Sequence, residues 1–236
     1  VADLSGATFS LAFEDTWPNK GDYDFNDFVS AFTLVKTVNR NGLVKDLKVA
    51  YKVLARGAAY DNGFGFEIDI PRTNIESTTG QVVDTLASLL GANGAELANT
   101  KASFIVFDNI DDISFSWNTD WTYINPYTDV PWDTLTVTFV NPVQDTAIGL
   151  FNPYVIVNGD RGHEIHLPNY PPTSLVDGTK FGIGSDASVA SQGVYYLTDD
   201  NKPWGLLLPI VFEHPIEHED ITQVYLNFGA WANSGG

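Results

Sequence analysis

Residues 13–29 read FEDTWPNKGDYDFNDFV and carry Glu14, Asp15, Asp22, Asp24, Asn26 and Asp27 among Phe13, Trp17, Tyr23, Phe25 and Phe28. Within GDYDFND, Asp22, Asp24 and Asn26 hold the first, third and fifth positions. When a loop curls around an ion, side chains two apart fall together, and short carboxyl and amide oxygens converge on one hard cation. That is the opening rhythm of calcium loops. It departs from the EF-hand, because Asp27 stands at the sixth position, where that loop needs Gly, and Thr33 at the twelfth, where it needs Glu. The other ligands are expected from Asp27 and from Glu14 or Asp15, brought back by the TWPNKG turn. Backbone carbonyls or water would complete the roughly six to eight oxygens that calcium (Ca2+) takes. Magnesium suits crowded carboxylates and irregular loops less well. The alternative is an Asp-rich turn whose acids cap backbone N–H groups. In that case the close carboxylates would repel one another and raise each other's pKa.

Three further stretches hold chemistry-bearing residues. FSWNTDWTYINPYTDVPW (115–132) places Trp117, Trp121, Tyr123, Tyr127 and Trp132 among Asn, Asp, Thr and Pro, which mark a loop. Flat aromatic faces with polar neighbours suit a sugar ring, although such rings also pack against sheets and shield their edges. DRGHEIHLP (160–168) puts Glu164 and His166 on one strand face and His163 on the other. A zinc site would need His214 or His218 as well, and the zinc spacings are missing, so polar strand faces with Arg161 paired to an acid are expected instead. FDNIDDISF (107–115) offers Asp108, Asp111 and Asp112, read as a solvated turn with side-chain caps before a second cation site.

Catalytic signatures are thin. The chain holds no G-x-S-x-G, HExxH or phosphate loop. Its many carboxylates include no pair set apart in the way that splits an acid from a base. Acids held around calcium stay ionised and make poor general acids.

Composition narrows the partners. Over 236 residues, 30 acids face 12 bases, a formal charge of −18. Such a chain repels phosphate backbones and anionic membranes, so neither nucleic acid nor direct membrane insertion is expected. With no cysteine, disulfides, thiolate nucleophiles and Cys-zinc sites are excluded. No apolar run reaches transmembrane length. The Val1 start and the missing signal-peptide pattern read as a mature or excised fragment.

The elements that must position these residues are short and alternating. LKVAYKVLA (47–55) sends Leu47, Val49, Tyr51, Val53 and Ala55 one way and Lys48, Ala50, Lys52 and Leu54 the other, as a half-buried strand does. The same pattern marks 8–13, 28–38, 64–70, 103–108, 134–140, 153–157, 163–167 and 193–198. NRNG (39–42) predicts a turn, making 28–56 a long hairpin. Helical spacing is weak in 82–90 and better in 219–232, where Ile221, Val224, Tyr225 and Phe228 recur. The fold class expected is all-β, a mainly antiparallel, jelly-roll-like β-sandwich with one or two short helices, forming a single domain over 1–236.

The blocks FEDTWPNKGDYDFNDFV, AAYDNGFGFEI, RGHEIHLPNYPPT, GVYYLTDDNKPWGLLLP and FGAWANSGG together resemble the LruC-domain family, over nearly the whole chain from Phe13 to Gly236. That resemblance implies an extracellular, calcium-associated β domain of a secreted or surface-anchored bacterial protein and names no reaction. The combined expectation is a non-enzymatic calcium-binding domain on the bacterial exterior, acting in adhesion or in recognition of a glycan or cell-surface polysaccharide. The alternatives are a polysaccharide-active enzyme scaffolded by calcium and a purely structural spacer or assembly module.

Overall fold

The alternation at 44–55 builds the centre of the first sheet. Strand β2 (Phe28–Val38) pairs antiparallel with β3 (Val44–Ala55), setting Phe32 opposite Tyr51 and Leu34 opposite Val49. In β3, Leu47, Val49, Tyr51, Val53 and Ala55 are buried and Lys48, Ala50 and Lys52 are not, as a period of two requires. The connecting turn is tied by Asn39. Its N–H donates to the Leu43 carbonyl at 2.8 Å, and its Oδ1 accepts from the Asn41 and Leu43 N–H groups at 2.9 and 3.1 Å. Gly42 supplies the left-handed residue, at φ 76°.

The computed structural model describes residues 6–113 and 131–235. The other strands are β1 (Thr8–Phe13), β4 (Gly63–Pro71), β5 (Ile75–Thr79), β6 (Lys101–Phe107), β7 (Asp133–Val143), β8 (Asn152–Ile156), β9 (Glu164–His166) and β10 (Gly205–Leu208). One sheet has six strands in the order β10-β1-β2-β3-β7-β5, the other four in the order β6-β4-β8-β9. All the strand pairings are antiparallel. The architecture is the all-β sandwich expected from the alternation. Its division differs from the two four-stranded sheets of a jelly roll.

Aromatic rings fill the space between the sheets. Phe28 lies 5.3 Å from Phe64, Phe66 lies 5.1 Å from Phe104, and Phe32 stacks on Phe151 at 5.4 Å. Each such buried ring contributes about 1.5–3 kcal/mol relative to an exposed one. Packing is close enough to dictate Gly65 in β4. A Cβ there would stand 2.6 Å from the Tyr154 ring and 2.7 Å from the Phe104 carbonyl oxygen.

A second apolar cluster sits on the outer face of the six-stranded sheet. Ala12, Val29, Ala31 and Leu206 pack with Tyr23, Phe25, Ile221 and Phe228. This layer seats both the acidic loop and the C-terminal segment.

Several expected elements differ. Three short α-helices occur among the described residues: α1 (Asp145–Ile148), α2 (Ile221–Val224) and α3 (Phe228–Asn233). The helix read over 219–232 is thus two pieces. It breaks at Tyr225 (φ −107°, ψ 79°), whose hydroxyl donates to the Glu213 carbonyl at 2.7 Å and whose ring stacks on Phe212. Stretch 82–90 holds only a 3-10 turn, Ala87–Leu89. Stretch 193–198 is no strand, because Gly193 (φ 70°) and Tyr196 (φ 54°) are left-handed and interrupt extended backbone. Strands β5 and β10 were not anticipated.

Candidate cation site

The acidic loop alternates in backbone as well as in chemistry. Tyr23 and Phe25 adopt left-handed φ of 65° and 54°, a conformation costing L-residues roughly 1–2 kcal/mol each. The alternation turns the two rings, 4.8 Å apart, into the outer apolar cluster. Glu14, at the end of β1, holds the loop in that shape. Its Oε2 accepts from the Tyr23 N–H at 3.0 Å and its Oε1 from the Phe25 N–H at 2.5 Å.

In consequence Glu14, Asp22 and Asp24 each present an oxygen within 4.8 Å of the others. Oxygens bound to one calcium lie about 2.3–2.6 Å from it and so up to roughly 5 Å from one another. Asn26 is fully buried next to this group, and neither its side-chain oxygen nor its side-chain nitrogen has a hydrogen-bond partner. A buried amide ordinarily has one. Asp15 and Asp27 form a separate pair. The Asp15 N–H donates to Asp27 Oδ2 at 2.8 Å, and Asn62 Nδ2 donates to Asp15 Oδ2 at 2.7 Å.

Electrostatics of the loop run one way. Burial, followed by the charge of Asp24, raises Glu14 well above the ordinary carboxylate range. Burial does the same to Asp27, with Glu14 and Asp15 adding to it, and raises Asp15. Burial and then Asp22 push Asp24 up to about 7. The loop therefore accumulates acids whose ionised forms are unfavourable without a compensating cation.

The C-terminal segment closes over the same loop. The His218 N–H donates to Asp24 Oδ2 at 2.8 Å, and its Nδ1 meets Asp22 Oδ2 at 2.6 Å. The Ile221 N–H donates to the Tyr23 carbonyl at 2.8 Å, and Lys20 Nζ pairs with Asp220 at 2.8 Å. Asp22, Glu217 and His218 thus form a second group with ligand atoms within 4.8 Å of one another. No motif in the sequence pairs Glu217 with the acidic loop, and the zinc alternative places His218 beside Glu164 and His166. The only local signal was the density of acids and histidines in EHPIEHED.

The suggested zinc combination is not assembled. Glu164 and His166 lie in a different buried network, centred on Arg161. Its Nε and Nη2 donate to Glu96 at 2.6 and 2.8 Å, its Nη1 pairs with Glu164, and the Thr173 N–H donates to Glu164 Oε1 at 2.6 Å. Burial would raise Glu164, but the hydrogen bond and charge of His166 and then those of Arg161 bring it down to about 2. His214 instead contacts the Pro215 carbonyl. Asp108 is a cap, accepting from the Asp84 and Leu86 N–H groups and the Thr85 hydroxyl, and Asp111 pairs with Arg56. Of the aromatic stretch, Trp132 is 48% exposed. Trp117, Trp121, Tyr123 and Tyr127 lie outside the described residues.

Comparison with known proteins adds two likenesses. A family model described as a domain of unknown function (DUF4842) matches residues 42–236. The crystal structure of a putative lipoprotein from Bacteroides ovatus superposes with a TM-score of 0.61 at 16% identity, covering 97% of this chain and 71% of that one. At that identity the likeness is one of fold. No curated protein matches the chain.

Proposed function

The chain belongs to the DUF4842 family of domains of unknown function, and on that premise we propose a non-enzymatic, calcium-clamped β-sandwich domain that works in adhesion or glycan recognition on the bacterial exterior. The observation carrying this reading is the convergence of Glu14, Asp22 and Asp24 beside the unpartnered buried amide of Asn26. A hard divalent cation supplies what each of these groups lacks: positive charge for the carboxylates and a Lewis acid for the amide oxygen. Calcium fits better than magnesium, because the loop is irregular and calcium accepts a variable oxygen shell where magnesium demands near-ideal octahedral geometry. Asp15 and Asp27 stand behind the first three acids and hold Asn62 and the β1 exit in place.

An exterior location is supported by the description of the Bacteroides ovatus protein as a putative lipoprotein and by the resemblance of the sequence blocks to LruC domains, a family that the comparison with known proteins does not itself return. Glycan recognition is assigned to the aromatic stretch 115–132, whose exposed Trp132 offers a flat apolar face. The acids of the loop are assigned to binding rather than to catalysis, since a bound cation keeps them ionised.

Melting in calcium and in EDTA tests the clamp. A ligand at a hundredfold its Kd adds about 2.7 kcal/mol to stability, so calcium is expected to raise the melting temperature measurably. Equal melting in both buffers, together with no calcium adduct in native mass spectrometry, refutes it. A glycan array probed in calcium tests recognition, with loss of the signal in Trp132→Ala as the expected companion result.

A further inference from the structure

Strand β10 ends the six-stranded sheet, and no strand lies beyond it among the described residues. Its pairing with β1 sets Leu206 opposite Ala12 and Leu208 opposite Ser10. The Glu14 N–H donates to the Trp204 carbonyl at 3.0 Å. By the alternation of an antiparallel ladder, Trp204, Leu206 and Leu208 therefore bond to β1, and the backbone N–H and C=O of Leu207 point to the open edge. Leu206 and Leu208 face the outer side of the sheet, where they floor a groove of about 600 Å³ walled by Ile210, Phe212, Leu226 and Trp231. Leu226 is 82% exposed and Ile210 63%. A contiguous apolar surface of this kind marks an interaction site, and an unpaired edge is a template for a further strand.

The charge around the groove selects the occupant. A second cleft, of about 340 Å³, adjoins it through the shared Tyr225 and is lined by Glu213 and Glu219. The chain as a whole carries −18, which disfavours a second copy and an anionic lipid surface alike. We infer that β10 and its groove dock an extended peptide strand of a partner protein, with alternating apolar side chains in the groove and a basic residue in the Glu213/Glu219 cleft. The added strand bonds to the Leu207 backbone, and its every second side chain falls beside Leu206 and Leu208. The groove shares Leu206, Phe212, Ile221 and Phe228 with the apolar layer that seats the acidic loop, and none of the loop's acids lines it.

The test pans a displayed library of random decapeptides against the protein in calcium buffer, with Leu226→Ser/Ile210→Ser as counter-selection. Both substitutions fall at exposed positions and leave the net charge unchanged. Expected are enriched peptides with apolar residues at alternate positions and at least one Lys or Arg. Synthesised, they should bind the double variant at least tenfold more weakly, lose several-fold affinity for Glu213→Gln/Glu219→Gln, and slow hydrogen exchange of the Leu207 amide at least tenfold. Four results overturn the proposal: no enrichment, enriched peptides lacking the alternation, binding that leaves the Leu207 amide unprotected, or self-association in sedimentation that Leu226→Ser abolishes.

Discussion

Asp24→Asn should stabilise the protein in EDTA and destabilise it in calcium. Asp24 is 1% exposed and is raised from 3.8 to about 7, first by burial and then by Asp22. At about 1.36 kcal/mol per pKa unit, keeping this one carboxyl ionised in the metal-free fold at pH 8 costs on the order of 4 kcal/mol. The sign follows from proton linkage. Between pH 3.8 and 7 the folded chain binds more protons at this site than the unfolded chain, so stability falls as pH rises through that window. An asparagine removes the cost. It also forfeits one of two hydrogen bonds, because Asp24 accepts from the Asn26 and the His218 N–H groups, and that loss is worth about 1–2 kcal/mol. The balance is a gain of about 2–3 kcal/mol, or about 4–12 °C in melting temperature for a chain of this size. In calcium the balance reverses, because the variant gives up a charged ligand. Differential scanning calorimetry of parent and variant at pH 8, in 5 mM EDTA and then in excess calcium, reads both signs; both concentrations are taken as about a hundredfold or more above the relevant Kd. A variant less stable than the parent in both buffers would refute the reasoning, since the loop would then be an ordinary hydrogen-bonded turn. The parent itself should gain stability in EDTA as pH is lowered from 8 toward 5, and Asp24→Asn should blunt that gain.

Other outcomes follow from separate parts of the fold. Arg161→Met leaves Glu96 and Glu164 buried without their cation and should cost about 3–5 kcal/mol in urea unfolding. Gly65→Ala drives a Cβ into the Tyr154 ring and the Phe104 carbonyl and should cost about 1–3 kcal/mol, measured the same way. Trp132→Ala, at a half-exposed position, should leave melting within about 0.5 kcal/mol of the parent while weakening glycan binding on the array.

Legibility in the sequence tracked how local the determining interaction is. β3 was readable because burial alternates from Leu47 to Val53, and the β2–β3 hairpin because Asn39 and Gly42 write its turn; the first five residues of β2 are buried on both faces. β10 was not, since GLLL shows no alternation and becomes a strand only by pairing with β1, some two hundred residues earlier. β5 reads IESTT, mostly polar, and is a strand because β7 offers an edge. Tyr196 looked like strand and is left-handed, a conformation that its fully buried ring packing imposes from outside the segment. In the acidic loop, the spacing of Asp22 and Asp24 was visible, and so was the need for a returning acid. The choice of Glu14 over Asp15 was not, because it depends on which carboxylate meets the Tyr23 and Phe25 N–H groups. Nothing near residue 22 announces Glu217 and His218, which arrive from the far end of the chain.

That last contact has a consequence in time. His218 reaches Asp24 and Asp22 across 194 and 196 residues. Closing so long a stretch must be repaid by contacts already formed. The contact between the loop and its partner segment is therefore expected to form late, after the sheets between them have condensed, so the His218 amide should gain hydrogen-exchange protection after those of β2 and β3 in pulse-labelled refolding. A chain stopped before residue 218 lacks these contacts, however faithfully residues 13–29 are made. The acidic loop thus has its full set of hydrogen bonds only in a chain that includes His218 and Ile221.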